Sequence, residues 1–387
     1  MANYRIWQAG RTLLGHQTGN DIWSYDHVRS RPRRMRGLVL TIVAVTSVAV
    51  TSAQAQWTMQ QSHTTAGLRG IHNVGGGVVW ASGVQGTVLH TTDDGQTWQT
   101  CAVPQGGEKL DFRGIQAFDA NTAIVMSAGA GDLSRLYKTI DACRTWKLAF
   151  TNPDTDGFWD AIQFSSPAFG ALIGDQVRSH LPVFFSSDAG DSWQQFDPKA
   201  IPAVDKNQSF FAASNTALLL DARNSKLYMI TGGGTTSLIT LDPHLAGGAV
   251  SYTHLDMATG AAAGGFSLAS RVDGSNLVIV AVGGDYKAPE RRTGTAAFFA
   301  DGKWQAPDTL PNGYRSAVAY YAAGKAWITV GPNGTDISTD DGRNWHAHKP
   351  AAEESPDADK NWNALSLPFV AGPNGRIGKL NPDALKP

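Results

Sequence analysis

Three arginines occupy equivalent positions in short segments that resemble one another. Each follows a large apolar or aromatic residue and precedes a small one, as in Leu68-Arg69-Gly70, Phe112-Arg113-Gly114 and Tyr314-Arg315-Ser316. A guanidinium group presents its N–H donors as a planar fork that pairs bidentately with a carboxylate or phosphate. If the three side chains converge, we expect an anion-binding ring. The alternative is that each arginine pairs with an inner carboxylate such as Asp160 and stabilises the fold.

Two further segments begin with tryptophan, namely Trp159-Asp160-Ala161-Ile162 and Trp362-Asn363-Ala364-Leu365. A tryptophan ring can stack on a sugar or a peptide, although an aromatic residue at the start of a strand also packs well into a core. We predict one binding surface from the residues that open these segments: Arg69, Arg113, Trp159, Asp160, Arg315 and Trp362.

Carboxylates suited to glycoside hydrolysis are scarce. The chain has four glutamates, and all lie in polar stretches that resemble loops: Glu108, Glu290, Glu353 and Glu354. Hydrolysis of a glycoside needs two carboxyl groups roughly 5–9.5 Å apart. Asp160, Asp175 and Asp285 are the available candidates, and nothing in the sequence pairs them. A phosphate-binding glycine motif, a His-Glu metal helix and a serine nucleophile elbow are also absent from the sequence. We therefore predict no catalytic residue, no metal site and no cofactor.

An eight-residue pattern that ends in tryptophan must position these segments. It recurs with its first aspartate at positions 93, 141, 188 and 340, so the intervals are 48, 47 and 152 residues, the last about three periods. A repeat near 50 residues is typical of a propeller or an array. The aspartate can accept hydrogen bonds within its own turn, and the glycine supplies a positive φ. Asp93, Asp141, Asp188 and Asp340 are therefore interpreted as turn-forming residues and not as catalysts.

The rest of the chain fits the same period. Short β-rich runs alternate with Gly, Asn and Asp turns, which predicts an all-β protein. Residues 205–312 hold two periods in which the pattern has decayed, and residues 361–387 supply only two or three strands. The strand near Trp57 is expected to complete this last sheet. We predict a single seven-bladed β-propeller of four-stranded antiparallel blades over residues 56–387, with six or eight blades as alternatives.

The repeated pattern resembles the Asp-box (BNR) repeats of sialidase-type propellers. The segment order is more similar to the photosystem II stability and assembly factors, with the best match at Ala81 to Gly83 and at His90 to Trp98 over about residues 57–380. That resemblance implies an exported seven-bladed propeller. The Phe-Arg-Ile-Pro element of sialidases is not present, because Leu68-Arg69-Gly70-Ile71 lacks the proline.

The first 55 residues lie outside the repeat and read as a secretory leader. Five arginines between residues 29 and 36 precede an apolar run from Leu38 to Val50, and Ala53-Gln54-Ala55 forms a cleavage site. The run has 13 residues, whereas a span needs about 20. We predict translation from Met35, with 1–34 as an upstream extension and 35–55 as the signal peptide. An uncleaved anchor is the alternative.

Removal of this leader changes the charge of the protein. It carries seven Arg and two Asp, so the remaining chain has a net charge of about −6, against −1 for the whole sequence. Nucleic-acid binding depends on clustered Lys and Arg and is not expected. We predict a secreted or periplasmic monomer with no stable membrane insertion.

The two cysteines acquire a meaning in an oxidising compartment. Cys101 lies three residues after Trp98, and Cys143 occupies the glycine position of the next repeat. Outer strands and turns of adjacent blades approach one another, so we predict a Cys101–Cys143 disulfide. The alternative is two free thiols. Two cysteines without a His cluster also argue against a zinc site.

These observations predict a non-enzymatic binding or assembly scaffold for an envelope protein or a polysaccharide. The alternative is a sialidase-like glycoside hydrolase that acts on extracellular glycans.

Overall fold

The protein is all-β. The computed structural model describes residues 56–245, 248–351 and 354–385. In these residues the chain forms seven antiparallel sheets that are the blades of a single β-propeller, as predicted. The helical elements of the described chain are three short 3-10 turns, Gly131–Leu133, Ala322–Gly324 and Pro382–Leu385. None of its helices is long and apolar enough to cross a bilayer.

Strands are numbered in chain order, and the strands of each blade are given from the innermost to the outermost. The strands of blades 1 to 3 are β2 (Leu68–Gly75), β3 (Val78–Gly83), β4 (Val88–Thr91) and β5 (Gln99–Thr100); β6 (Phe112–Ala117), β7 (Ala123–Ser127), β8 (Arg135–Thr139) and β9 (Lys147–Thr151); β10 (Trp159–Ser166), β11 (Phe169–Gly174), β12 (Val183–Ser186) and β13 (Gln194–Gln195). Those of blades 4 and 5 are β14 (Leu218–Asp221), β15 (Lys226–Ile230), β17 (Ser237–Asp242) and β18 (Ala249–His254); β16 (Gly232–Gly233), β19 (Gly260–Asp273), β20 (Asn276–Asp285), β21 (Ala296–Ala300) and β22 (Lys303–Gln305). Those of blades 6 and 7 are β23 (Ala317–Tyr321), β24 (Ala326–Gly331), β25 (Gly334–Ser338) and β26 (His346–His348); β27 (Ala364–Ser366), β28 (Phe369–Ala371), β29 (Ile377–Leu380) and β1 (Trp57–Gln60).

The two ends of the chain close the ring together. Strand β1 pairs antiparallel with β29, with Trp57 opposite Leu380 and Gln60 opposite Ile377. Trp57 is buried, and its Nε1 donates to Thr335 Oγ1 of blade 6 at 3.2 Å. The predicted closure by the strand near Trp57 is therefore confirmed, and β1 supplies the outermost strand of the last blade.

The repeated turns hold the blades against one another. In blade 1, Asp93 Oδ1 accepts from Thr91 Oγ1 at 2.8 Å and from the Thr97 backbone N–H at 2.9 Å. Gly95 has a φ of 82°, and a Cβ there would lie 2.9 Å from Phe369 of blade 7. Glycine is needed at this position because the turn is left-handed and touches the neighbouring blade. Asp141, Asp188 and Asp340 make the same bonds within their own turns.

The hydrophobic core lies between blades and not at the centre of the ring. One cluster joins Leu89 of blade 1 to Phe369 of blade 7, and another joins Ile173 of blade 3 to Leu227 of blade 4. Blades 4 and 5 use this packing without the repeated turn. The expectation of two decayed blades between residues 205 and 312 is confirmed.

A disulfide joins blades 1 and 2. Cys101 and Cys143 are bonded, with their Cα atoms 5.3 Å apart, as predicted. The upstream extension (1–34) and the signal peptide (35–55) lie outside the described residues, so both stay predictions.

Candidate functional site at the channel mouth

One face of the disc collects the residues that open the innermost strands. Successive strands of a blade are antiparallel, so the start of the first strand lies at the same end as the finish of the second. Arg69, Arg113 and Asp160 lie near the start of β2, β6 and β10, and Tyr286 follows the end of β20. The repeated turns connect the third and fourth strands and therefore lie on the opposite face.

A β-bulge turns particular side chains toward the channel axis. The pairing of the first two strands skips one residue in four blades, and the unpaired residues are Arg69, Arg113, Asp160 and Phe266. A bulge adds a residue to one strand and re-aims its side chain. The same local device thus places two arginines, a carboxylate and an aromatic ring near the central axis.

The channel opens on this face as a cavity of about 470 Å³, called here the mouth cavity. Its lining combines basic, aromatic and amide side chains with small residues. The lining residues are Arg69, Arg113, Phe211, Ala212, Ala213, Phe266, Tyr286, Tyr314, Ser316, Pro332, Asn361, Trp362, Asn363 and Pro373. This set contains two positive charges and no carboxylate.

The two arginines are neighbours with different partners. Arg113 donates from Nε to Asp111 Oδ2 at 2.7 Å and from Nη1 to the Ala212 carbonyl at 3.1 Å. The buried Nε of Arg69 has no hydrogen-bond partner among the described residues. Burial, and then repulsion from Arg113, lowers the pKa of Arg69 below its ordinary value. An arginine stays charged in a protein, so the burial of Arg69 and its repulsion from Arg113 favour an anion beside it.

Four aromatic rings form the other wall of the mouth cavity. Phe211 and Phe266 stack with their centroids 4.0 Å apart, and Tyr314 meets Phe266 edge-on at 4.8 Å. Tyr286 packs against both phenylalanines and remains 46% exposed. Burial raises the pKa of Tyr314 above its ordinary value, so its hydroxyl stays protonated and remains a donor.

A loop before blade 4 crosses the channel beneath this cavity. We call residues 209–216 the channel segment. Its side chains bind four blades. Ser214 Oγ donates to the Ser316 carbonyl at 2.8 Å, and Thr216 Oγ1 donates to Ser267 Oγ at 2.7 Å. Asn215 Nδ2 donates to the carbonyls of Ile162 at 2.9 Å and Ile115 at 3.3 Å. The segment therefore spans the centre of the ring and supplies Phe211 to the cavity wall.

Two carboxylates lie behind the channel segment, of which Asp160 is fully buried and Asp175 partly buried. Asp160 is 1% exposed, and its Oδ2 has no hydrogen-bond partner in the described chain. Asp175 Oδ1 accepts from the Phe210 backbone N–H at 2.9 Å. Burial raises the pKa of Asp175 to about 6. Burial, and then the proximity of Asp175, raises the pKa of Asp160 well above its ordinary value. The structure brings these carboxylates together, but it places neither on the cavity surface.

The predicted position of Arg315 at the mouth needs correction. Its side chain is fully buried, donates from Nε to Asp336 Oδ2 at 2.7 Å and from Nη1 to the Tyr314 carbonyl at 3.0 Å. The reason is a shift in register, because β23 begins at Ala317 and the residues before it belong to a loop. Tyr314 and Ser316 line the cavity instead, and Arg315 makes a structural ion pair with Asp336 on the third strand of blade 6, where the alternative named an inner carboxylate such as Asp160.

The two tryptophans and Asp160 also differ from their predicted positions. Trp159 is fully buried and stacks on Phe150 at 5.3 Å, so it is core and does not line the cavity. Trp362 is 1% exposed and touches the cavity only at its border, since the Arg376 guanidinium covers its ring at 4.3 Å. Asp160 has the expected bulge position, but the channel segment covers it. Of the six predicted residues, Arg69, Arg113 and Trp362 line the cavity.

Sequence reasoning missed most of the aromatic wall. Phe266 lies in Gly265-Phe266-Ser267, where a large residue is followed by a small one, as in the other bulges. This pattern could have identified Phe266 from the sequence. Phe211 and Tyr286 lie in loops of blades without the repeated turn, so no periodicity marks them. Among the described residues no group of three or more His, Cys, Asp and Glu side chains is arranged to hold a metal ion.

Comparison with known proteins supports the fold. No protein-family model matches the chain, and no curated protein sequence matches it. Among solved structures it is similar to YCF48 bound to D1 peptide, with a TM-score of 0.58, 16% identity, and coverage of 84% of this chain and 97% of that one. It is similar to YCF48 from Cyanidioschyzon merolae with a TM-score of 0.58 and 16% identity, covering 85% of this chain and 100% of that one. It is similar to the GH74 xyloglucanase from Xanthomonas campestris with a TM-score of 0.59 and 14% identity, covering 86% of this chain and 54% of that one. At these identities the likeness shows the propeller fold alone.

Proposed function

We propose that this protein is an exported, non-enzymatic scaffold whose mouth cavity binds an acidic segment of a protein partner in the envelope. The observation that carries the proposal is the pair Arg69 and Arg113 in a concave site whose lining has no carboxylate. Charge-assisted hydrogen bonds from arginine to a carboxylate are among the stronger ones in proteins. A rigid ring with recognition loops on one face is suited to such binding.

The aromatic wall supports a protein partner over a polysaccharide. Phe211 is partly exposed and offers an apolar surface without a hydrogen-bonding group, which suits side chains next to an acidic residue. Aromatic residues and arginine are enriched where proteins bind one another. The solved complex of YCF48 with a D1 peptide, on a similar fold, is consistent with this choice. A monomer is part of the proposal.

The glycoside hydrolase alternative receives less support. Hydrolysis requires a carboxyl acid and a second carboxyl group that both reach the sugar. Asp160 and Asp175 lie behind the channel segment, and Asp111 is engaged with Arg113. The similarity to a xyloglucanase is a likeness of fold.

The test uses fluorescein-labelled tetra-aspartate as the probe and tetra-asparagine as the uncharged comparison. We expect Arg69→Gln and Arg113→Gln each to weaken binding of tetra-aspartate about tenfold or more, because a hydrogen bond to a charged group contributes about 1.5–3 kcal/mol. The matched control is Arg144→Gln, which removes the same charge from an exposed arginine in a repeated turn on the opposite face.

Two outcomes would contradict the proposal. Equal affinity of the wild-type protein for both peptides would show that the mouth cavity does not prefer an acidic peptide to an uncharged one. Tighter binding of an oligogalacturonate than of tetra-aspartate, lost in the same arginine variants, would assign the cavity to an acidic polysaccharide instead.

A further inference from the structure

A groove separates blades 4 and 5 on the face opposite the mouth cavity. It has a volume of about 530 Å³ and lies at the position that a repeated turn fills at other blade interfaces. A Cβ at Gly95 or Gly342 would lie within 3.0 Å of a side chain of the preceding blade, whereas one at Gly302 would have nothing within 4 Å. The reason is length, because the blade 5 turn has two residues, 301–302, and the blade 1 turn has seven, 92–98.

The walls of this space, called here the blade 4–5 groove, carry Tyr228 and Thr240 on one side and Phe299 and Trp304 on the other. Tyr228 stands opposite Thr240 in the ladder of blade 4. Phe299 stands opposite Trp304 in blade 5, with their ring centroids 5.8 Å apart. All three rings are partly exposed, whereas Trp345, which ends the blade 6 turn, is 2% exposed. The short turn thus leaves aromatic surface open that a complete turn covers.

The polar groups of the same walls are also left open. Trp345 Nε1 donates to the Gly342 carbonyl at 3.1 Å. Trp304 Nε1, Tyr228 Oη and Thr240 Oγ1 have no hydrogen-bond partner among the described residues. Burial, and then the charge of a nearby aspartate, raises the pKa of Tyr228, so its hydroxyl stays protonated and can donate. The groove therefore presents one N–H donor and two hydroxyls between aromatic rings.

We propose that the blade 4–5 groove binds an uncharged pyranose ring of a polysaccharide. A pyranose with equatorial hydroxyls has C–H groups on both faces, which pack on aromatic rings, and hydroxyls around its edge, which pair with N–H and O–H groups. The described lining contains no carboxylate and no arginine, and Lys303 is exposed, so solvent would screen its pairing with a sugar acid.

A peptide turn of the repeated type is the competing occupant, because such a turn fills the equivalent space elsewhere in the ring. The unpaired hydroxyls of Tyr228 and Thr240 favour a sugar, whose own hydroxyls extend from every side of the ring. The groove lies on the face opposite Arg69 and Arg113, so this proposal does not rest on the function proposed for the mouth cavity.

Isothermal titration calorimetry with cellohexaose and chitohexaose tests the groove. We expect the wild-type protein to bind at least one of them and Trp304→Ala to weaken that binding about tenfold or more, because a tryptophan ring supplies much of the contact area. Thr240→Val keeps the shape of the side chain and should weaken binding about fivefold through the lost hydroxyl. The matched control is Trp193→Ala, which removes a partly exposed tryptophan from the complete turn of blade 3 and should leave the affinity unchanged.

Three results would overturn the proposal. The first is no binding of either hexasaccharide to the wild-type protein. The second is sugar binding that Trp304→Ala and Thr240→Val leave unchanged, which would place the sugar elsewhere. The third is tighter binding of a synthetic octapeptide with the sequence of residues 338–345 than of either sugar, lost in Trp304→Ala, which would assign the groove to a protein turn. Sugar binding that persists in Arg69→Gln would separate this groove from the mouth cavity, as we expect.

Discussion

Removal of the Cys101–Cys143 bridge should destabilise the propeller by an amount that the structure predicts. The bond closes a loop of 42 residues, for which the chain-entropy model gives about 4 kcal/mol at 25 °C. Cys143 also has a φ of 58°, where the equivalent residues of three other repeats are glycines. A left-handed conformation costs a residue with a Cβ about 1 kcal/mol, which glycine avoids. We therefore expect Cys101→Ala/Cys143→Ala to lose about 4 kcal/mol and Cys101→Ala/Cys143→Gly about 3 kcal/mol.

Urea unfolding followed by tryptophan fluorescence measures both losses, with and without a reductant. The reductant should lower the unfolding free energy of the wild-type protein and leave both double variants unchanged. Equal stability of oxidised wild-type protein and the alanine double variant would refute the loop-closure argument. A glycine variant less stable than the alanine variant would refute the assignment of strain to residue 143.

Three further perturbations test other parts of the account. Trp57→Ala should lower the unfolding free energy by about 3–5 kcal/mol in urea titrations, because it empties a buried site on the strand that closes the ring, while Thr58→Ala on the same strand should change little. Hydrogen bonds from Thr97 lower the pKa of Asp93 to about 2, so its stabilisation is complete above about pH 4 and is lost as the pH falls through 2. In thermal melts Asp93→Asn should be less stable than wild type at pH 7, and the difference should shrink steadily between pH 4 and pH 2. The raised pKa of Asp160 makes its burial increasingly unfavourable above about pH 4, so Asp160→Asn should gain stability relative to wild type between pH 4 and 7, and a pH-independent difference would contradict this.

The fold was predictable because its signal is local and repeated. The turn aspartates make the same hydrogen bonds in four blades, and their spacing reports the period even where intervening turns have decayed. The closing strand was predictable because residues 361–387 lack enough strands for a blade. The disulfide followed from the position of Cys143 in its turn.

The site was predictable only in part, because the direction in which a side chain points depends on the register of its strand. Arg69 and Arg113 lie at β-bulges. Arg315 precedes its strand and points into the blade, so Tyr314, one residue earlier, lines the cavity in its place. The channel segment could not be predicted, since a loop that crosses the axis has no periodicity. Its presence buries Asp160, which the sequence placed at the surface.

Site-specific photocross-linking tests the central claim most directly. A benzoylphenylalanine at position 286 samples the mouth cavity, and one at position 140, where Ile140 is 72% exposed in a repeated turn, samples the opposite face. Cells that carry either variant are irradiated, and adducts of the exported protein are identified by mass spectrometry. We expect a protein adduct from position 286, mapped to an acidic segment and lost when Arg69→Gln and Arg113→Gln are added. Adducts from position 140 alone would contradict the assignment of the mouth as the binding site.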